Sequence, residues 1–137
     1  MTFQDLAPLL FAVAIVIAFQ FLRKKMIGKS VTSEELAERM KTFDVKLIDV
    51  RSQPEYVGDL GHIEGAINIP VGEMANEIKA MGSANSLQKD STIVTICRTH
   101  NRSPRAARML RDAGFSNVLV LKDGMTGWKR KDLPVVR

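Results

Sequence analysis

The apolar residues of this chain form one long continuous run near its start and several short runs after it. The long run, residues 6–22, contains no charged residue. Short, mostly apolar runs bounded by turn residues predict strands at 45–50, 66–69, 92–97 and 118–121. The run at 92–97 is the most hydrophobic of these, which predicts a central position in the sheet.

Amphipathic segments separate the predicted strands. Thr32 and Glu35 form a capping box before a helix, and Ser52 and Glu55 cap a short helical turn. Further helices are predicted at 73–81, at 104–113 and from about Thr126, whereas residues 83–90 are polar and read as irregular. Strands that alternate with helices predict an α/β domain with a mostly parallel sheet flanked by helices.

The long apolar run predicts a transmembrane helix. We divide the chain into an anchor at 1–25, a connector at 26–30 and a domain at 31–137. A signal peptide and a buried helix are the alternatives, but the charges favour a retained anchor. One acidic residue precedes the run and a basic cluster follows it: Asp5, Arg23, Lys24, Lys25 and Lys29. The expectation is a single-pass protein of the bacterial inner membrane, in the bilayer through residues 6–22, with the amino terminus outside and the domain cytoplasmic.

The net charge of +5 does not indicate a nucleic-acid-binding protein. Residues 1–30 hold four basic and one acidic residue, or +3, which leaves sixteen basic and fourteen acidic residues, or +2, for the rest. Within the domain, basic residues cluster on the helix at 104–113, a possible docking surface for an acidic partner protein. A single cysteine excludes an intramolecular disulfide, and with only two histidines a metal site has little support.

The single cysteine has the position of a nucleophile. Cys97 ends a predicted strand, and a loop of five residues separates it from a helix at Ser103 and Pro104. We expect Ser103 to be the N-cap and Pro104 the first helical residue. Loop amides, the helix dipole and nearby arginines would all favour the thiolate, since consecutive amides can form a nest for an anion. Asp49 and Arg51 end another strand at the same edge of the sheet, where ligands of such folds bind.

Four segments in register resemble the single-domain rhodaneses of the thiosulfate sulfurtransferase family. They are LIDVRSQPEY, GHIEGAINIP, CRTHNRS and AARMLRDAGFSNVLVLKDGMTGW, within about residues 30–134. The resemblance implies a five-stranded parallel sheet and no cofactor. It also implies a cysteine that takes sulfane sulfur from a small donor such as thiosulfate or a persulfide. The sulfur then passes to a thiol or cyanide.

The same resemblance assigns roles to residues. Cys97 matches the catalytic, sulfur-carrying position, while Asp49 and Arg51 match a pair that supports the fold beside the site. The substrate-binding loop would comprise Arg98, Thr99, His100, Asn101, Arg102 and Ser103. His62, Gly65, Asn68 and Pro70 match a structural motif, and Trp128 matches a packing residue.

The loop between Cys97 and Arg102 discriminates between related chemistries. Phosphatases and arsenate reductases that resemble rhodaneses have five residues between cysteine and arginine, and this chain has four, which suits a terminal sulfur better than a tetrahedral oxyanion.

Where the family often has glycine, this chain has His100. Its imidazole could cover the sulfur, donate a hydrogen bond to a persulfide or restrict the donor, which puts turnover with thiosulfate in question. Asp123 replaces the first of two glycines in a neighbouring turn, to which we attach little weight.

We interpret the chain as a membrane-anchored sulfurtransferase that carries sulfur on Cys97. Two alternatives remain open. One is a weakly active or inactive rhodanese-like module that binds a partner protein at the membrane. The other is a relay that receives its persulfide from a protein donor.

Overall fold

The computed structural model describes residues 3–27, 30–84 and 87–137 of the chain. Residues 28 and 29 of the predicted connector and residues 85 and 86 of the predicted irregular segment lie outside this part. The helices are α1 Phe3–Ile27, α2 Ser33–Thr42, α3 Gln53–Tyr56, α4 Met74–Ala84, α5 Ser103–Asp112 and α6 Gly124–Arg130, with a 3₁₀ turn at Val71–Glu73. The strands are β1 Ser30–Val31, β2 Val45–Asp49, β3 Ile67–Asn68, β4 Thr92–Ile96 and β5 Asn117–Leu121.

The five strands form one sheet in the order β1-β5-β4-β2-β3, and all neighbours are parallel. The expected α/β fold with a five-stranded parallel sheet is therefore confirmed, and β4 lies at the centre. Asp49 pairs with Ile96, so β2 and β4 end side by side. Cys97 and the residues after Asp49 thus leave the sheet at the same edge, which is where ligands bind in parallel sheets.

Alternation along the central strands builds a core on each face of the sheet. Ile93 packs with Ala106 and Leu110 of α5, whereas Val94 packs on the other face with Trp128 of α6. Each such large apolar side chain contributes about 1.5–3 kcal/mol when fully buried. Cys97 belongs to the α5 side of the core. The period of two therefore decides that its side chain faces the beginning of α5.

Several element boundaries differ from the predictions. The two-residue strand β1 was not predicted, since two residues carry no periodic signal. It pairs with β5 through Val31 and Leu121. Helix α4 continues to Ala84, beyond the predicted end at Met81, and α6 begins at Gly124 and not near Thr126.

The amino-terminal helix corrects the prediction of a membrane anchor. A bilayer span needs about 20 consecutive apolar residues, and the hydrocarbon core is about 30 Å thick. Among the described residues, no helix is both long enough and apolar enough to cross a bilayer. The predicted single-pass membrane localisation is therefore wrong; the side chains of its basic flank lie outside the described part.

A buried ion pair ties the end of β2 to the loop that follows it. Arg51 donates from Nε to Oδ1 of Asp49 at 2.9 Å and from Nη2 to Oδ2 at 2.8 Å, and both residues are fully buried. The same guanidinium also donates to the carbonyls of Gly61 at 2.7 Å and Glu55 at 3.2 Å. One side chain thus holds β2, α3 and the glycine-rich loop together.

Removing the charge of Asp49 should destabilise the domain. In Asp49→Asn the guanidinium of Arg51 stays buried without its counter-charge, so we expect a loss of about 3–5 kcal/mol in the free energy of unfolding. Urea denaturation followed by circular dichroism measures this loss. Asp44→Asn makes the same change at the exposed pair with Lys46 and should cost less than about 1 kcal/mol. Equal losses in the two variants would contradict the role assigned to the buried pair.

Candidate active site

The sulfur of Cys97 lies at the carboxyl end of the central strand, beneath the loop that leads to α5. Cys97 is 1% exposed, and its Sγ lies 3.2 Å from the hydroxyl oxygen of Ser103. The sequence predicted Ser103 as the N-cap, but in the structure Ser103 is the first residue of α5. The cap position is held by Arg102, which has helical dihedrals (φ −94°, ψ −34°) and no side-chain capping bond. The fully buried hydroxyl of Ser103 is therefore directed at the sulfur, not at a helix amide.

Helix α6 fixes the orientation of the first peptide units of the loop. The carbonyls of Cys97 and Arg98 accept hydrogen bonds of 2.9 Å each from the amides of Met125 and Thr126. In a trans peptide the carbonyl and the amide point in opposite directions. The amides of Arg98 and Thr99 therefore point away from α6.

The amides of the loop lack hydrogen-bond acceptors among the residues that the structure describes. Within the described part of the chain, no hydrogen-bond acceptor serves the N–H groups of residues 98–102. Consecutive unpaired amides beside a sulfur are able to bind an anion, because each carries a partial positive charge. Arg98, Thr99, His100 and Asn101 are exposed, so this binding capacity is open to solvent.

A two-point ion pair closes the far end of the loop. Arg102 donates from Nη1 and Nη2 to the two carboxylate oxygens of Glu55 at 2.7 and 2.9 Å. The hydrogen bonds from Arg102 lower the pKa of Glu55 from 4.5 to about 2, and Glu55 in turn raises the pKa of Arg102. Glu55 also caps α3 through the amide of Ser52. The sequence revealed its capping role, but not its contact with a loop forty-seven residues away.

A cleft of about 290 Å³ opens beside the loop. Its lining residues come from the end of β2, the α3 region and the loop: Arg51, Pro54, Glu55, Gly58, Asp59, Leu60 and Arg98. In the described residues, no group of three or more histidine, cysteine or acidic side chains could hold a metal ion.

The arrangement of strand, loop and helix matches a known family. The model of the rhodanese-like domain family matches residues 32–131. The chain belongs to this family. At the family level, a rhodanese-like domain supports activity of the sulfurtransferase type.

Similar proteins include a transcriptional regulator as well as sulfurtransferases. An HTH-type transcriptional regulator of Mycobacterium tuberculosis is 41% identical over 108 residues, covering 77% of this chain but 44% of the relative. This rhodanese-like chain thus spans less than half of that relative. A protein of Allochromatium vinosum named sulfurtransferase is 32% identical over 107 residues, covering 77% of this chain and 92% of the relative. The crystal structure of a rhodanese-related protein from Thermoplasma volcanium has a TM-score of 0.67 at 30% identity, covering 79% and 97% of the two chains.

The turn before α6 allows this helix to pack closely against the loop of the rhodanese-like site, a role that we did not predict from the sequence. Gly124 has a φ of +55°, and a Cβ there would collide with the carbonyl oxygens of Cys97 and Thr99. The close approach of α6 to the loop thus requires glycine. Asp123 has a φ of 64°, a left-handed conformation that aspartate tolerates better than most residues. The signal for this contact in the sequence is a glycine placed just before a predicted helix.

The structure gives the backbone conformation and the surroundings of His100. In the described chain, the non-glycine residues with positive φ are Asp123 and Asp132, so the histidine needs no left-handed backbone. The exposed His100 lines a cavity of about 340 Å³ with Arg108 and Arg111, and it is not among the residues that line the cleft beside Arg98. Histidine at the position where the family often has glycine therefore causes no left-handed backbone strain here.

Gly124→Ala should displace the loop from α6. The added methyl group would occupy the space of the Cys97 and Thr99 carbonyls, so we expect a loss of at least about 1–3 kcal/mol in stability. Thermal unfolding of the purified variant measures it. Gly82→Ala is the matched control, because its Cβ meets nothing within 4 Å in α4 and alanine favours helix. A Gly124→Ala protein as stable as this control would contradict the close contact.

The Arg102–Glu55 pair should make stability depend on acid pH. Because folding depresses the pKa of Glu55 from 4.5 to about 2, its contribution is fully present above pH 4.5 and is lost as the pH falls through about 2. Glu55→Gln should therefore be less stable than wild type near neutral pH, and the difference should shrink in acid. Urea denaturation at a series of pH values tests this. The control Glu38→Gln, at an exposed pair with Lys41, should show a smaller difference throughout.

Proposed function

We propose that the chain is a sulfurtransferase that carries sulfane sulfur as a persulfide on Cys97 and passes it to a thiol or cyanide. The observation that supports this most is the position of the sulfur, next to a loop whose amides at residues 98–102 have no acceptor in the described chain. Such a loop favours negative charge on the sulfur and on a transferred sulfur atom. Since Cys97 is 1% exposed, a small terminal sulfur suits the site better than a bulky electrophile.

The proposed first half-reaction uses thiosulfate or a persulfide as donor. The Cys97 thiolate attacks the outer sulfur of the donor, and a bond from Sγ to that sulfur forms as the donor's sulfur–sulfur bond breaks. With thiosulfate, sulfite leaves with the electron pair. Ser103 is the side chain placed to donate a hydrogen bond to the sulfur, at 3.2 Å from Sγ.

The remaining residues of the loop have separate proposed roles. Arg98 stands in the wall of the cleft and would attract an anionic donor, while Thr99, His100 and Asn101 contribute backbone amides. Arg102 would not reach the donor directly, because both of its terminal nitrogens already donate to Glu55. Its role would be to close the loop and to keep a positive charge nearby. Asp49 and Arg51 support the loop from beneath through their buried pair.

The second half-reaction returns the enzyme to its starting state. An acceptor thiolate attacks the outer sulfur of the persulfide, the bond to Sγ breaks, and Cys97 leaves as thiolate. No external oxidant or reductant is needed, because the sulfane sulfur only changes its partner. Such alternation between two enzyme forms predicts ping-pong kinetics.

A second candidate is a module that binds an acidic partner protein. It is favoured by the cavity of about 340 Å³ on the α5 side, where Arg108 and His100 are exposed and have no side-chain partner in the described residues. Arg111 also has a structural role, because its Nη2 donates a hydrogen bond to the carbonyl of Val118 at 2.8 Å. This surface does not involve the sulfur, so binding there would be independent of Cys97.

Mass spectrometry of the intact protein tests the proposed function. After incubation with thiosulfate and removal of the excess, wild type should gain the mass of one sulfur atom, and added thiol should remove it. Cys97→Ala should gain nothing, because it lacks the nucleophile. Equal gain by the variant, or no gain by wild type from thiosulfate or from a small persulfide, would refute the proposal. Binding of an acidic partner equally by wild type and Cys97→Ala, without any sulfur gain, would then support the binding module.

A further inference from the structure

The cleft beside the loop contains one positive and one negative charge that have no side-chain partner among the described residues. Of its charged residues, Arg51 is paired with Asp49, and Glu55 is paired with Arg102. The other two, Arg98 and Asp59, have exposed side chains. Neither forms an ion pair or a side-chain hydrogen bond within the described part of the chain. A ligand in this cleft therefore meets both signs of charge.

The backbone holds both of these residues in place. The carbonyl of Arg98 accepts a hydrogen bond from the amide of Thr126 at 2.9 Å. The carbonyl of Asp59 accepts from Nζ of Lys129 at 3.0 Å and from Nη2 of Arg137 at 3.4 Å. The main chain that carries the two charged side chains is therefore held in place, so less ordering of the backbone is needed when a ligand binds.

We propose that this cleft selects a small zwitterionic thiol as the sulfur acceptor, with the ligand's carboxylate at Arg98 and its ammonium at Asp59. A cleft of about 290 Å³ suits a molecule of amino-acid size, and an arginine can hold a carboxylate with two parallel hydrogen bonds. Arg98 directly follows Cys97 in the chain, so the cleft adjoins the loop that carries the sulfur. The inference rests on the proposed function and names the acceptor class of the same site.

The transfer step needs no component beyond the loaded enzyme and the acceptor. The thiol loses its proton to solvent, and its sulfur then bonds to the outer sulfur of the Cys97 persulfide. The bond between that outer sulfur and Sγ breaks, and its electron pair stays on Sγ. The acceptor departs as a zwitterionic persulfide.

Three small thiols separate the contributions of the two charges. Free cysteine carries both groups, cysteamine only the ammonium, and 3-mercaptopropionate only the carboxylate. Enzyme loaded from thiosulfate is mixed with each thiol, and the loss of the added sulfur is followed by intact mass. For each thiol, the rate of a variant is divided by that of wild type, which cancels differences in intrinsic reactivity.

The expected result is a selective change in each variant. Asp59→Asn should slow transfer to cysteine and cysteamine about fivefold, the scale of an exposed ion pair, relative to its effect on 3-mercaptopropionate. Arg98→Gln should slow cysteine and 3-mercaptopropionate by a similar factor relative to cysteamine. Asp112→Asn, the same change on α5 outside the cleft lining, should show no preference among the three thiols.

The outcomes distinguish this inference from the proposed function. If wild type gains no sulfur from a donor, the proposed function fails and this inference fails with it. If wild type is loaded but Asp59→Asn changes all three rates by one factor, or changes none, the inference alone is overturned. A preference of wild type for cysteine that persists in both variants would overturn it as well.

Discussion

The docking of the cysteine loop onto the first turn of α6 is the contact on which the rest of the site depends. The amides of Met125 and Thr126 would be unpaired at a helix start, and they donate instead to the carbonyls of Cys97 and Arg98. Two needs are met by one arrangement: the helix amides gain acceptors, and the loop carbonyls are turned away from the sulfur. The arrangement requires that Gly124 have no side chain.

Two arginine–carboxylate pairs then fix the surroundings of this loop in different ways. The pair of Asp49 and Arg51 is fully buried, so it is costly to break and holds the backbone beneath the site. The pair of Glu55 and Arg102 is partly exposed and joins the cap of α3 to the end of the loop. Because Arg102 is engaged in this way, Arg98 is the loop arginine whose charge faces the cleft without a partner in the described residues.

Some features of the sequence predicted the structure correctly, and others did not. The strands at the centre of the sheet were predicted because each buries a short, mostly apolar run, and the capping box at Thr32 and Glu35 is present. The membrane anchor was wrong, because no helix among the described residues combines the length and the apolar character of a bilayer span. The N-cap at Ser103 was also wrong, since its hydroxyl contacts the Cys97 sulfur across the start of α5.

The sequence by itself determined the α/β class, the parallel sheet and the loop that carries Cys97, because periodicity and local spacing are properties of neighbouring residues. Only the tertiary structure decided that Glu55 holds Arg102, that Gly124 admits the loop carbonyls, and that His100 and Arg98 line different cavities. These contacts join residues far apart in the chain. Their geometry depends on how the strands are ordered and how the helices pack on the sheet, which no local pattern of residues encodes.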